Sequence, residues 1–105
     1  MSRIAIMLAS AFSLVALPAA AEEFTVRQKG SVFDPAELTI HAGDKVIFLN
    51  DDSRTHNVYS TTEGDTFDTK AQRPGTQTEI TFSVPGVVVV LCAIHVRMKM
   101  TIKVQ

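Results

Sequence analysis

The chain is predicted to be an all-β protein, an antiparallel β-sandwich of about six to eight short strands behind an N-terminal leader. Three observations predict it. Short segments alternate apolar and polar side chains with a period of two. Gly, Pro, Asn and Asp punctuate those segments at close intervals. Past residue 21, no stretch shows the spacing of an amphipathic helix.

The leader comes first. Arg3 is followed by "IAIMLASAFSLVAL" (Ile4 to Leu17), apolar and without a charge, and then by the small residues of "PAAA" (Pro18 to Ala21). This is the pattern of a secretory signal peptide spanning 1–21, cut after Ala21. An uncleaved anchor fits less well, because the apolar run falls short of the roughly 20 residues that span a bilayer. The expected location is the periplasm, with no stable membrane insertion after cleavage. One domain, 22–105, remains.

Within it, "FTVRQ" (Phe24 to Gln28) alternates as a strand and breaks at Lys29-Gly30. "AELTIHAGDKVIFLN" puts Leu38 and Ile40 on one face, turns at Ala42-Gly43-Asp44 and resumes with Val46 and Phe48, which predicts a half-buried hairpin. Asn50 to Thr55 is a polar loop, and "HNVYS" (His56 to Ser60) the next strand. Thr61 to Gly75 is poor in apolar residues and reads as a long connection with room for one helical turn. "TEITFSV" (Thr78 to Val84) alternates, Pro85-Gly86 turns the chain, and "VVVVLC" (Val87 to Cys92) is apolar on both faces. That strand is expected in the sheet interior, because at an edge it would invite aggregation. "TIKV" (Thr101 to Val104) closes the domain.

Removing Arg3 leaves nine Lys/Arg against eleven Asp/Glu, a mildly acidic balance that excludes a nucleic-acid-binding role. The single cysteine, Cys92, cannot form a disulfide within the chain, although small exported domains often rely on them. A buried structural thiol is one reading. The alternative is occupation by a metal, because His95 follows three residues later and Met98 three after that. Thiolate plus imidazole suits copper or zinc. A weak thioether in the fourth position favours copper, in a trigonal His₂Cys site with a long axial Met.

That geometry needs a second histidine. His41 lies beside a turn and reads as a solvated residue. His56 opens a strand after a polar loop, where a sandwich can bring it beside Cys92, and is preferred. A Cys–His hydrolase dyad would need a third orienting group and an oxyanion hole, for which there is no signal. A structural zinc site would ordinarily supply more cysteines and no thioether.

These segments resemble those of the cupredoxins, the small blue-copper proteins, in their plastocyanin, pseudoazurin and amicyanin branch. "FDPAELTIHAGDKVIFLNDD" looks like the N-terminal hairpin of that family, "HNV" like its first ligand segment, and "PGVVVVLCAIHVRM" like its C-terminal ligand loop. The resemblance implies a Greek-key sandwich with one type 1 copper bound by His56, Cys92, His95 and Met98. It also implies that Asn57 ties the two ligand loops together and donates its backbone N–H to the thiolate.

Cys-x₂-His-x₂-Met ends at Met98, and Cys-x₂-His-x₄-Met ends at Met100. Residues 98, 100, 102 and 104 would share one face of a regular strand, so alternation does not separate the two. The first spacing resembles that of amicyanins and the second that of plastocyanins and pseudoazurins; the segment after Met98 is as short as in the compact-loop relatives, and that resemblance favours Met98. Val96 stands where relatives often have proline, which leaves the loop less constrained.

The function implied is one-electron transfer by Cu(II)/Cu(I) cycling, without enzymatic turnover. The partners would be transient protein redox partners, such as a c-type cytochrome, a dehydrogenase or a reductase, and the protein is expected to be a monomer. His95 would be the electron exit. Arg97 and Lys99 would steer an acidic partner or serve merely as solvated charges. The rival reading is a periplasmic carrier or buffer of copper itself.

Overall fold

The computed structural model describes residue 5 and residues 20–105. The predicted leader therefore lies outside the described residues, apart from residue 5, Ala20 and Ala21. Among the described residues there is no helix long and apolar enough to cross a membrane.

Nine strands form among the described residues: β1 (Glu23–Lys29), β2 (Val32–Asp34), β3 (Glu37–Ile40), β4 (Lys45–Asn50), β5 (His56–Ser60), β6 (Phe67–Gln72), β7 (Gln77–Thr81), β8 (Gly86–Leu91) and β9 (Lys99–Val104). They make two sheets, ordered β2-β1-β4-β7 and β3-β9-β8-β5-β6. The all-β sandwich expected from the alternation is present, and β8 is an interior strand between β9 and β5.

Three local expectations need correction. The stretch from Leu38 to Asn50 is not a hairpin: β3 pairs with β9 in one sheet, and β4 with β1 and β7 in the other. Alternation reports which face is buried, and both strands bury theirs against the same core, from opposite sides. Two of these pairings, β1 with β4 and β3 with β9, are parallel. Finally, Thr61 to Gly75 contains strand β6 and no helical turn. Its six residues are mostly polar and only Gln72 is buried, because β6 is an edge strand held by backbone bonds to β5.

The core lies between the sheets. Val26, Val46 and Phe48 project from one sheet, and Ile40, Val58, Val88, Val90, Met100, Ile102 and Val104 from the other. Each such side chain contributes about 1.5–3 kcal/mol relative to exposure. Phe67 joins the layers, stacking on Phe48 and meeting Phe82 edge-on, with both centroid separations 5.6 Å.

A polar seam crosses the same interior. Gln28 Nε2 donates to Gln72 Oε1 at 2.7 Å, and Gln72 Nε2 donates to the Phe48 carbonyl and to Thr78 Oγ1. Asn50 Nδ2 donates to the carbonyls of Arg54 and Gln72, both at 2.8 Å. A buried polar group unpaired costs more than a paired one gains, so this seam holds the sheets in one register. It also shapes the loop that leads to β5.

Candidate metal centre

The loop between β4 and β5 is drawn tight by Asn50, whose Oδ1 accepts the Asp52 N–H at 3.0 Å while Nδ2 holds the Arg54 carbonyl. Asp52 is thereby aimed at the first residue of β5. Its Oδ2 lies 2.9 Å from Nε2 of His56 and also accepts the Ser31 N–H at 2.9 Å. Ser31 can offer that N–H because Gly30 and Ser31 form the two-residue β1–β2 turn, both at positive φ. The Asp52 carboxyl is held far below the usual carboxylate range, first by its bond with His56 and then by the Ser31 N–H. Asp52 was not singled out from the sequence. Its spacing of four from His56 was the only available signal, and on a loop that spacing carries no defined geometry.

His56 is fully buried. With Nε2 engaged by Asp52, its other nitrogen, Nδ1, faces Nδ1 of His95 at 3.0 Å, the rings meeting edge-on with centroids 4.7 Å apart. Cys92, 2% exposed, places Sγ 4.0 Å from the same His95 nitrogen. The three donor atoms lie within 4.8 Å of one another. Donors bound to one ion at about 2.0–2.3 Å sit roughly 3–4 Å apart, and the two separations measured from His95 Nδ1, 3.0 and 4.0 Å, fall in that range. Without an ion the two imidazoles can share one hydrogen bond, Nδ1–H of one to Nδ1 of the other; with that proton released, both nitrogens and the thiolate offer lone pairs to a cation. The site is built for a cation. His41 is elsewhere, with its side chain 78% exposed.

Asn57, next to His56, does what was expected of it. Its N–H points at Cys92 Sγ at 3.4 Å, and its Oδ1 accepts the Ala93 N–H at 3.1 Å. Nδ2 donates to Asp68 Oδ1 at 2.7 Å and to the Lys70 carbonyl at 3.2 Å. One side chain thus fastens the Cys92 loop to β6. The Asp68 carboxyl is held low chiefly by the Lys70 N–H, with Asn57 adding to it. Lys70 adopts positive φ beside the register shift between Asn57 and Tyr59, which is how β6 turns these groups toward Asn57.

The Cys92–Met98 loop is closed by the Met98 N–H donating to the His95 carbonyl at 2.9 Å. In the β8–β9 ladder Val90 pairs with Met100 and Leu91 with Lys99. Continued by one residue, that register sets Met98 opposite Cys92. Met98, Met100, Ile102 and Val104 are all buried, as alternation predicted, but they are not at one depth. Met100 is level with Val90, about 7 Å along the strand from Cys92.

Around the half-buried His95, Ile94 is 53% and Val96 85% exposed. They line a shallow depression with Ser31, Arg54 and Arg97. Neither arginine takes part in an ion pair among the described residues.

Comparison with known proteins agrees with this arrangement. Residues 20–105 match the model of copper binding proteins of the plastocyanin/azurin family. The chain is 38% identical to the methylamine utilization protein MauL of Methylorubrum extorquens, over 86% of this chain and 80% of that one. It is 35% identical to a putative pseudoazurin of Rhizobium leguminosarum bv. viciae, over 96% of this chain and 68% of the relative. Among solved structures, the Cu-containing nitrite reductase NirK of Thermus scotoductus SA-01 superposes with a TM-score of 0.73 at 31% identity. That match covers 86% of this chain but only 23% of the reductase.

Proposed function

The chain belongs to the plastocyanin/azurin family of copper-binding proteins, and from that membership we propose that it is a periplasmic one-electron carrier. Its ligands would be His56 Nδ1, Cys92 Sγ and His95 Nδ1, with the Met98 thioether as a weak axial donor. The observation that carries this reading is the 3.0 Å approach of the two Nδ1 atoms beside a buried thiol. A thiolate, two imidazoles and a thioether form the donor set that suits copper over zinc. The cross-strand position of Met98, level with Cys92, supports it over Met100.

Bound copper would supply a Cu(II)/Cu(I) couple. The protein's own part is rigidity. Asp52 holds the His56 ring, Asn57 holds the Cys92 loop, and the Met98–His95 backbone bond closes that loop. Donors that do not move between oxidation states keep the barrier to electron exchange low. Four protein donors would leave a bound copper no position for substrate, unlike catalytic metal sites, which accords with a carrier and not an enzyme.

The edge of His95 is the route to the surface. Ile94 and Val96 give a small apolar contact suited to brief encounters, and Arg54 and Arg97 at its rim favour a partner with acidic groups around its own redox centre. A c-type cytochrome, dehydrogenase or reductase fits that description. The alternative, a carrier of copper itself, is disfavoured by burial: His56, Cys92 and Met98 are each at most 2% exposed, which hinders ligand exchange with an acceptor protein. Competition for Cu(I) by a high-affinity chelator separates the two. Retention through repeated oxidation and reduction supports the electron carrier, and rapid release supports the copper carrier.

A further inference from the structure

Asp44 lies at the far end of β4 from the metal centre and is 5% exposed. Its Oδ1 accepts the N–H of Glu22 at 2.9 Å, and its Oδ2 the N–H of His41 at 2.7 Å. Those two bonds, Glu22 first, hold its carboxyl below the ordinary value against the opposing effect of burial. It is therefore an anion at neutral pH, and buried anions are ordinarily paired with a cation. Among the described residues Asp44 has no such partner beyond the exposed His41 imidazole, 4.0 Å away. Lys45 on β4 is drawn to Glu79 on β7 at 3.4 Å, and Glu23 on β1 faces Lys45. A tightly held carboxylate thus waits with both oxygens on backbone nitrogens.

One of those nitrogens is the atom that removal of the leader would transform. The predicted cut follows Ala21, and residues 20–22 are exposed and outside any strand. Glu22 is already seated, because its carbonyl accepts the Lys45 N–H at 2.9 Å. We propose that Asp44 is the receiving site for the amino terminus of the processed protein. Hydrolysis of the Ala21–Glu22 peptide bond by an export-linked protease adds water across it, leaving the Ala21 carboxylate on the leader. It also turns the Glu22 amide into an ammonium 2.9 Å from Asp44 Oδ1. The hydrogen bond already present becomes an ion pair.

Asp44 also anchors the opposite edge of the sandwich: its carbonyl accepts the Phe82 N–H at 3.0 Å, and the Gly43 N–H donates back to the Phe82 carbonyl at 2.7 Å. Processing therefore tightens the junction of β1, the β3–β4 turn and the end of β7 in one event. The leader-bearing chain is left the less stable form. The rule that buried charges are paired, the seated Glu22 and the small-residue cleavage pattern converge on the same atom.

The test compares three forms in the same metal state: a chain starting with a free amine at Glu22, the same chain acetylated there, and one starting at Ala20. Acetylation keeps the N–H and deletes only the charge. The free-amine form should melt several degrees above both others near pH 7. The ammonium's contribution is full below the unfolded amine's pKa of about 7.7–8.0 and is lost as pH rises through the higher folded value, so the gap should close on the alkaline side. His41, Glu23, Lys45 and Glu79 are common to all forms and cancel. With Asp44→Asn the three forms should melt together, while the metal centre keeps its spectrum. Mass spectrometry of the exported protein should find Glu22 first. Equal melting of the three forms with Asp44 intact, or a processed chain beginning elsewhere, overturns the proposal.

Discussion

Nε2 of His56 and Oδ2 of Asp52 are 2.9 Å apart, on the far side of the imidazole from the nitrogen that faces His95. A carboxylate behind a ligating histidine fixes its tautomer and ring plane and raises its basicity. Asp52→Ala should weaken copper binding by about 10–100-fold, the usual effect of deleting such a group. Asp52→Asn, which keeps an oxygen acceptor, should lose less. Chelator competition measures both. Equal affinity in all three proteins would mean that packing alone orients the ring.

Asn57→Ala removes the acceptor for Ala93 N–H and the donor to Asp68 and Lys70. The N–H to sulfur belongs to the backbone and stays. Stability to urea should fall by about 1–3 kcal/mol while the copper colour persists. Colour loss with unchanged stability would reverse the roles assigned to the side chain and the backbone.

The two buried methionines should separate cleanly. Met98→Gln should alter the electron paramagnetic resonance spectrum and the potential, because Met98 and Cys92 are the residues that adjoin the last pair of the β8–β9 ladder. Met100→Leu should alter neither. Met100→Ala, in the core opposite Val90, should cost about 2–5 kcal/mol of stability. A spectrum that follows Met100 instead would reassign the axial donor.

Asp44 predicts an acid limb of stability. Its folded pKa is depressed, so its contribution is present above the unfolded carboxylate value of about 3.9 and lost as pH falls through the folded value. The difference in melting temperature between the native protein and Asp44→Asn should be full at pH 6–7 and shrink below about pH 4. A difference independent of pH would show that the carboxylate acts only through shape.

The residues readable in advance were those whose chemistry is local. Cys92, His95 and Met98 share one short loop, and "HNV" carries His56 and Asn57 together, so type and spacing were informative. Strand partners were another matter. Leu38, Ile40, Val46 and Phe48 alternate as a hairpin does, yet β3 and β4 belong to different sheets, because a period of two reports burial and not hydrogen-bond partner. Strand β6 was hidden because an exposed edge strand has little apolar patterning. Asp52 was hidden because its role depends on Asn50 and Ser31, which only the folded loop brings to it.

Copper titration of the folded protein, followed by visible absorption and electron paramagnetic resonance, is the decisive experiment. A His₂Cys site at residues 56, 92 and 95 should take up one copper per chain and give an intense blue band that ascorbate bleaches and an oxidant restores, with complete loss of that band in Cys92→Ser. A pale or colourless Cu(II) complex, or a blue one that survives Cys92→Ser, would contradict that assignment.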